Sequence, residues 1–157
     1  MKIDVTNLFL NFDGNYLVKT DTKRMQQVLL NLLSNAIKFT PSEGRVVVLV
    51  EKLKAEQILE TDKIRISVTD NGLGIKKKNQ GKLFQMFGTF KNSKRGINTK
   101  GIGLGLVICK LIVGNFNGQI KFHSKYKAGT TFFFTFEVSP LNPEEMLTLV
   151  NFSKDDI

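Results

Sequence analysis

Tryptophan is absent from this 157-residue chain, tyrosine occurs only twice, and cysteine and histidine once each. The single cysteine, Cys109, excludes a disulfide framework. Its setting in Leu106-Val107-Ile108-Cys109-Lys110-Leu111 is that of a packed helix position in a reducing compartment. No apolar run approaches membrane-spanning length and the N-terminus has no signal-peptide pattern, so this segment reads as soluble and cytoplasmic, without direct membrane contact. Gly-Lys-Ser/Thr occurs nowhere, which excludes a P-loop. Of the three prolines, Pro140 and Pro143 fall together near the C-terminus. The length predicts one domain, 1–139, followed by a C-terminal tail, 140–157.

Phenylalanine is abundant, with thirteen copies, and Phe132, Phe133, Phe134 and Phe136 mark a core strand. The net charge of +9 raises the question of nucleic acid. The lysines are scattered, however, and the densest patch, Lys76-Lys77-Lys78, is not interleaved with aromatic residues. No nucleic-acid partner is expected; the basicity suits a polyphosphate pocket and solubility.

Asp21 is a plausible N-cap for a helix running to about Phe39. At about 100° per residue, Met25, Val28, Leu29, Leu32, Leu33 and Ala36 form one apolar arc, while Gln27, Asn31, Asn35 and Lys38 cluster on the other side. Each mid-helix Asn costs roughly half a kcal/mol relative to Ala, so two of them one turn apart ask for a reason. A short extended run, 16–20, precedes this helix, and strands are predicted at 46–52 and 64–70 after it. Period-two alternation gives Asp70 the parity of Ile64, Ile66 and Val68, ending the strand with a carboxylate on its buried face. Residues 76–100 read as a loop, the helix from 101 carries Val107, Ile108, Leu111 and Ile112 at core spacing, and 120–124 with 130–138 read as a hairpin. This order predicts an α+β fold, a two-layer α/β sandwich with helices on one face of a mixed sheet.

A buried carboxylate needs a hydrogen-bond donor, and an adenine amino group is a suitable one for Asp70 in Asp70-Asn71-Gly72-Leu73-Gly74. Gly72 and Gly74 would let a flat base approach the backbone. An ordinary Asp-Asn-Gly turn is the competing reading. Gly101-Ile102-Gly103-Leu104-Gly105-Leu106 opens a helix whose amides could cradle phosphate. It is not the dinucleotide fingerprint, because its third Gly comes one residue early and no strand immediately precedes it.

Taken in order, these motifs resemble the catalytic ATP-binding domain of sensor histidine kinases, in the superfamily that includes gyrase, heat-shock-90 chaperones and mismatch-repair ATPases. The resemblance runs from about Asp21 to Glu137, and Asn-Leu-Leu-Ser-Asn-Ala-Ile-Lys-Phe-Thr, 31–40, is its most specific part. It implies that Asn35 coordinates Mg2+, that Asn31 lies near the phosphates, and that Lys38 reaches the phosphate chain as a point charge. It implies that Asp70 accepts a bond from adenine, with Gly72, Gly74 and Ile75 lining the base pocket and Thr130 bonding nearby. Phe84 and Phe87 match the motif that anchors the lid. Gly101, Gly103 and Gly105 match its hinge, with Leu104 and Leu106 packed behind; Lys100 departs from the small or hydroxyl residue common there.

Superfamily ATPases tend to place a Glu general base at position 31, and Asn cannot take a proton at neutral pH. Phosphoryl transfer to a neutral imidazole needs no such base, so the resemblance implies a kinase using ATP and Mg2+ rather than a hydrolase. His123, in a predicted strand, reads as structural or exposed. The acceptor His is therefore expected on a separate helical dimerisation domain, with a response-regulator receiver domain downstream and this domain a monomer in isolation. The parent protein could be a membrane-anchored sensor. Alternative readings are a non-catalytic nucleotide-sensing module and an ATPase of the same superfamily.

Overall fold

Alternating apolar residues in two long strands dictate the architecture. A computed structural model of the chain describes residues 4–10, 18–53, 61–85 and 104–140. Among these, β1 (Asp4–Leu10), β2 (Val18–Lys19), α1 (Thr22–Phe39), β3 (Arg45–Leu53), β4 (Lys63–Asp70), α2 (Lys77–Gln80), α3 (Gly105–Gly114), β5 (Ile120–Lys125), β6 (Gly129–Glu137) and β7 (Ser139–Pro140) follow in order. Five strands form a sheet in the order β1-β3-β4-β6-β5. β1 pairs parallel with β3 and the other neighbours are antiparallel, so the sheet is mixed.

The register aligns Ile64 with Phe136, Ile66 with Phe134, Val68 with Phe132 and Asp70 with Thr130. With Val46 and Val48 of β3, these side chains build one face, against which α1 lays Met25, Val28, Leu32 and Ala36 and α3 lays Cys109, Ile112 and Val113. Burying each large member contributes about 1.5–3 kcal/mol. The opposite face carries ion pairs, including Arg65 with Glu51 at 2.8 Å. The α+β sandwich expected from the element order is the observed fold.

α1 begins where Asp21 accepts a bond from the Arg24 amide at 3.0 Å. It ends where the Thr40 hydroxyl donates to the Ala36 carbonyl at 2.6 Å, just before Pro41. Four features differ from the sequence pattern. β1 is an additional edge strand; Asp4-Val5-Thr6-Asn7-Leu8-Phe9-Leu10 lacks clean alternation, and its partner lies in β3, far along the chain. A one-turn helix, α2, interrupts the segment read as loop from 76. Within the extended run before α1, Val18 and Lys19 pair with Pro140 and Ser139 in a second, two-stranded sheet. On α3, Ile108 and Leu111 are 40% and 66% exposed, while Cys109 and Ile112 face the core as expected and Val113 joins them. That helix is apolar almost all round, so spacing alone does not select its buried side. No helix among the described residues is long and apolar enough to cross a membrane.

Candidate functional site

β4 ends in Asp70, whose side chain is buried on the helix-covered face, as its parity requires. Its Oδ1 accepts a hydrogen bond from the Gly72 amide at 2.8 Å. Burial pushes the Asp70 pKa up from the ordinary 3.8, against the opposing pull of the Gly72 and Thr130 backbone amides. Thr130, its cross-strand partner, is also buried. The Ser124 hydroxyl lies 2.9 Å from the Thr130 hydroxyl and 3.1 Å from the Gly129 carbonyl, and accepts from the Ile75 amide at 2.8 Å. Gln80 closes this end, its side-chain amide donating to the carbonyls of Ile75 at 3.0 Å and Ser124 at 3.2 Å.

The turn after Asp70 is fixed by close packing. A Cβ at Gly72 would meet the Phe39 carbonyl oxygen at 2.4 Å, and one at Gly74, where φ is +63°, would meet that of Lys125 at 2.1 Å. Both glycines are thus required by contacts within the protein itself, before any base approaches. The Leu73 amide donates to the same Phe39 carbonyl at 3.1 Å, tying the turn to the C-terminal end of α1.

α1 supplies the rest. Asn31, Asn35 and Lys38 are all half-buried along one side of it, and Asn31 and Phe39 are about 12 Å apart along the axis. The Asn31 side-chain amide donates to the Cys109 sulfur at 3.2 Å. No described residue hydrogen-bonds to the Asn35 carboxamide. The Lys38 ammonium stands 5.5 Å from the centre of the Phe39 ring. Leu104 and Gly105 form the start of α3, and Leu106 packs against the core. The structure therefore gathers Asp70, Gly72, Gly74, Ile75 and Thr130 at one end and Asn31 with Leu104 to Leu106 where α3 meets α1. Asn35 and Lys38 lie between, on α1. Phe84 stacks obliquely on Phe122 at 6.1 Å between ring centres; Phe87, Gly101 and Gly103 lie outside the described residues.

Two site residues escape the motif reading, Ser124 and Gln80. Ser124 shares the inward parity of Ile120 and Phe122, the one signal that marks it. His123, of opposite parity, is exposed and stacks on Phe133 with ring centres 5.5 Å apart, as its strand setting predicts.

No group of three or more His, Cys, Asp or Glu side chains among the described residues converges as a resident metal cage. The Asn35 oxygen, to which no described residue bonds, does fit Mg2+, an ion that keeps several waters and is held by few protein ligands when phosphates supply the others.

Residues 20–140 match the family described as histidine kinase-, DNA gyrase B-, and HSP90-like ATPase. The signal transduction histidine-protein kinase BarA of Escherichia coli is 40% identical over 127 residues, covering 78% of this chain and 13% of BarA. The adaptive-response sensory kinase SasA of Synechocystis is 39% identical over 121 residues, 77% of this chain and 29% of SasA. The chain thus spans a minor part of these relatives. Among solved structures, the catalytic domain of histidine kinase ThkA superposes with a TM-score of 0.67 at 30% identity, covering 91% of this chain and 82% of that one. The mycobacterial sensor histidine kinase MprB gives 0.64 at 25%, covering 88% and 84%. With ATPase motifs in family order on a histidine-kinase catalytic fold, the chain belongs to the histidine kinase-, DNA gyrase B- and HSP90-like ATPase family, among its sensor histidine kinases.

Proposed function

We propose that this chain is the ATP-binding catalytic domain of a sensor histidine kinase, folded over 1–139 with 140–157 as a tail, and that it transfers the γ-phosphoryl group of ATP to a histidine on a separate helical domain. The observation that carries this reading is Asp70: a buried carboxylate, held by two backbone amides, whose remaining acceptor capacity suits the amino group of adenine. Gly72, Gly74, Ile75 and Thr130 shape the base end around it. Asn31, Asn35 and Lys38 serve the phosphates, with Leu104, Gly105 and Leu106 at the start of α3 and, as the family resemblance implies, Phe87 in the motif that anchors a lid and Gly101 and Gly103 in its hinge. Mg2+, held through the Asn35 oxygen, supplies neutralisation of phosphate charge.

In transfer, an unprotonated imidazole nitrogen of the acceptor bonds to the γ-phosphorus while the bond to the β–γ bridging oxygen breaks, and ADP leaves. The amide at position 31 removes no proton in this step, and the imidazole requires none to be removed. The chain's contribution is orientation of ATP and stabilisation of charge by Lys38 and backbone amides. His123, exposed against Phe133, is outside this chemistry, so the acceptor comes from a dimerisation domain, and a receiver domain takes the phosphoryl group onward. The isolated domain is proposed to be a cytoplasmic monomer. The test is phosphate release from Mg-ATP at a concentration shown to saturate the protein. Saturation with negligible release is expected; steady turnover that Asn35→Ala abolishes would identify an ATPase instead.

A further inference from the structure

The buried thiol of Cys109 has no part in the proposed chemistry, and it touches the residue whose identity separates kinase from hydrolase. Cys109 is 1% exposed. Its sulfur accepts from Asn31 Nδ2 at 3.2 Å and lies 4.0 Å from the Val28 carbonyl oxygen, three residues earlier on α1. One turn before Cys109 on α3 stands Gly105, where a Cβ would come 2.3 Å from Asn31 Oδ1, 3.0 Å from Cγ and 3.1 Å from Nδ2. The carboxamide therefore packs against α3, its oxygen nearest Gly105 and its nitrogen at Cys109.

We propose that Gly105 and Cys109 together act as positioning residues for Asn31, holding its carboxamide in one orientation on α3 so that the second Nδ2 hydrogen is presented to the phosphate chain. Nδ2 carries two hydrogens and Cys109 takes one, so the other remains to be donated. The oxygen end lies at the first turn of α3, where backbone amides lack intrahelical partners. A free Asn side chain would have to be ordered when the ligand binds; one already held does not incur that cost. Asn31 and Cys109 are 78 residues apart in the chain, so the contact also joins α3 to the helix that carries the phosphate-side residues.

This inference rests on the assignment of Asn31 to the phosphate side, and the experiment separates the two. ATP and adenosine affinities are measured with Mg2+ for the unmodified chain, Asn31→Ala, Cys109→Val, Cys109→Ser and the Asn31→Ala/Cys109→Val double variant. If Asn31→Ala leaves ATP affinity unchanged, the assignment of Asn31 fails, and the inference with it. If Asn31→Ala weakens ATP, Cys109→Val is expected to weaken ATP by about three- to tenfold with adenosine unaffected, and to add nothing in the Asn31→Ala background. Cys109→Ser, which keeps an acceptor, is expected to retain most of the affinity and guards against a Val variant that folds poorly. Equal loss for ATP and adenosine, or an undiminished Cys109→Val effect without Asn31, would make Cys109 a core residue only and overturn the proposal.

Discussion

The two ends of the site are built on opposite plans. At the β4 end, Asp70, Gly72, Ile75, Gln80, Ser124 and Thr130 hydrogen-bond to one another or to each other's backbone, and the Asn71 side chain accepts from the Arg45 amide at 2.7 Å. Along α1, Asn31 leans on α3, Lys38 rests over a ring, and the Asn35 carboxamide has no partner among the described residues. A planar base presents one fixed edge, which a pre-bonded frame reads well. Phosphates with a metal ion arrive with variable hydration, for which unengaged polar groups are better suited.

The largest expected effect breaks the open end alone. Asn35→Ala should lower Mg2+-dependent ATP affinity by about 10- to 100-fold while the melting temperature stays near that of the unmodified chain, since the side chain supports no described contact. Calorimetric titration with and without the metal reads this directly. Asp70→Asn should weaken ATP by about tenfold and erase discrimination between ATP and GTP, yet raise the melting temperature by removing a buried charge. Equal ATP and GTP binding by the unmodified chain would refute the base-reading role.

The same carboxyl gives the frame a pH signature. Because its folded pKa is raised, the folded protein binds that proton more tightly than the unfolded chain, and Asp70 lowers stability as pH rises from 3.8 through the folded pKa. Melting curves between about pH 4 and 7 should therefore show Asp70→Asn gaining on the unmodified protein as pH rises. ATP affinity should move the other way, strengthening as Asp70 ionises. Ser124→Ala should cost about 1 kcal/mol, lowering stability and ATP binding together, because it loosens Ile75 and Thr130 at once. A loss confined to one readout would show that frame and pocket are separable. His123→Ala, on the far face, should change nucleotide affinity least, within the error of the titration.

Much of this was legible in the residues. The parity of Ile64, Ile66, Val68 and Asp70 placed the carboxylate inside, and the arc on α1 separated packing from polar positions. What was not legible depends on contacts between distant segments. Asn31 and Asn35 share one polar side of the helix in the sequence, and the docking of α3 engages Asn31, whereas no described residue bonds to Asn35. Ser124 shows the correct parity but no chemistry that distinguishes it from any inward serine. The burial side of α3 is hidden by apolar residues all round, and β1 by its imperfect alternation and its non-local parallel partner.

The pairing of Asp70 with Thr130 and Val46 has a consequence for how such a site can be lost. Strand side chains alternate, so sliding β4 by one position would turn Asp70 to the outer surface and bring Thr69 inward, with every residue chemically intact. On the proposed reading, adenine recognition is in this sense a property of alignment, and a nucleotide that binds Asp70 would also act as a clamp against slippage. Amide exchange at the end of β4, measured with and without nucleotide, would report that clamp.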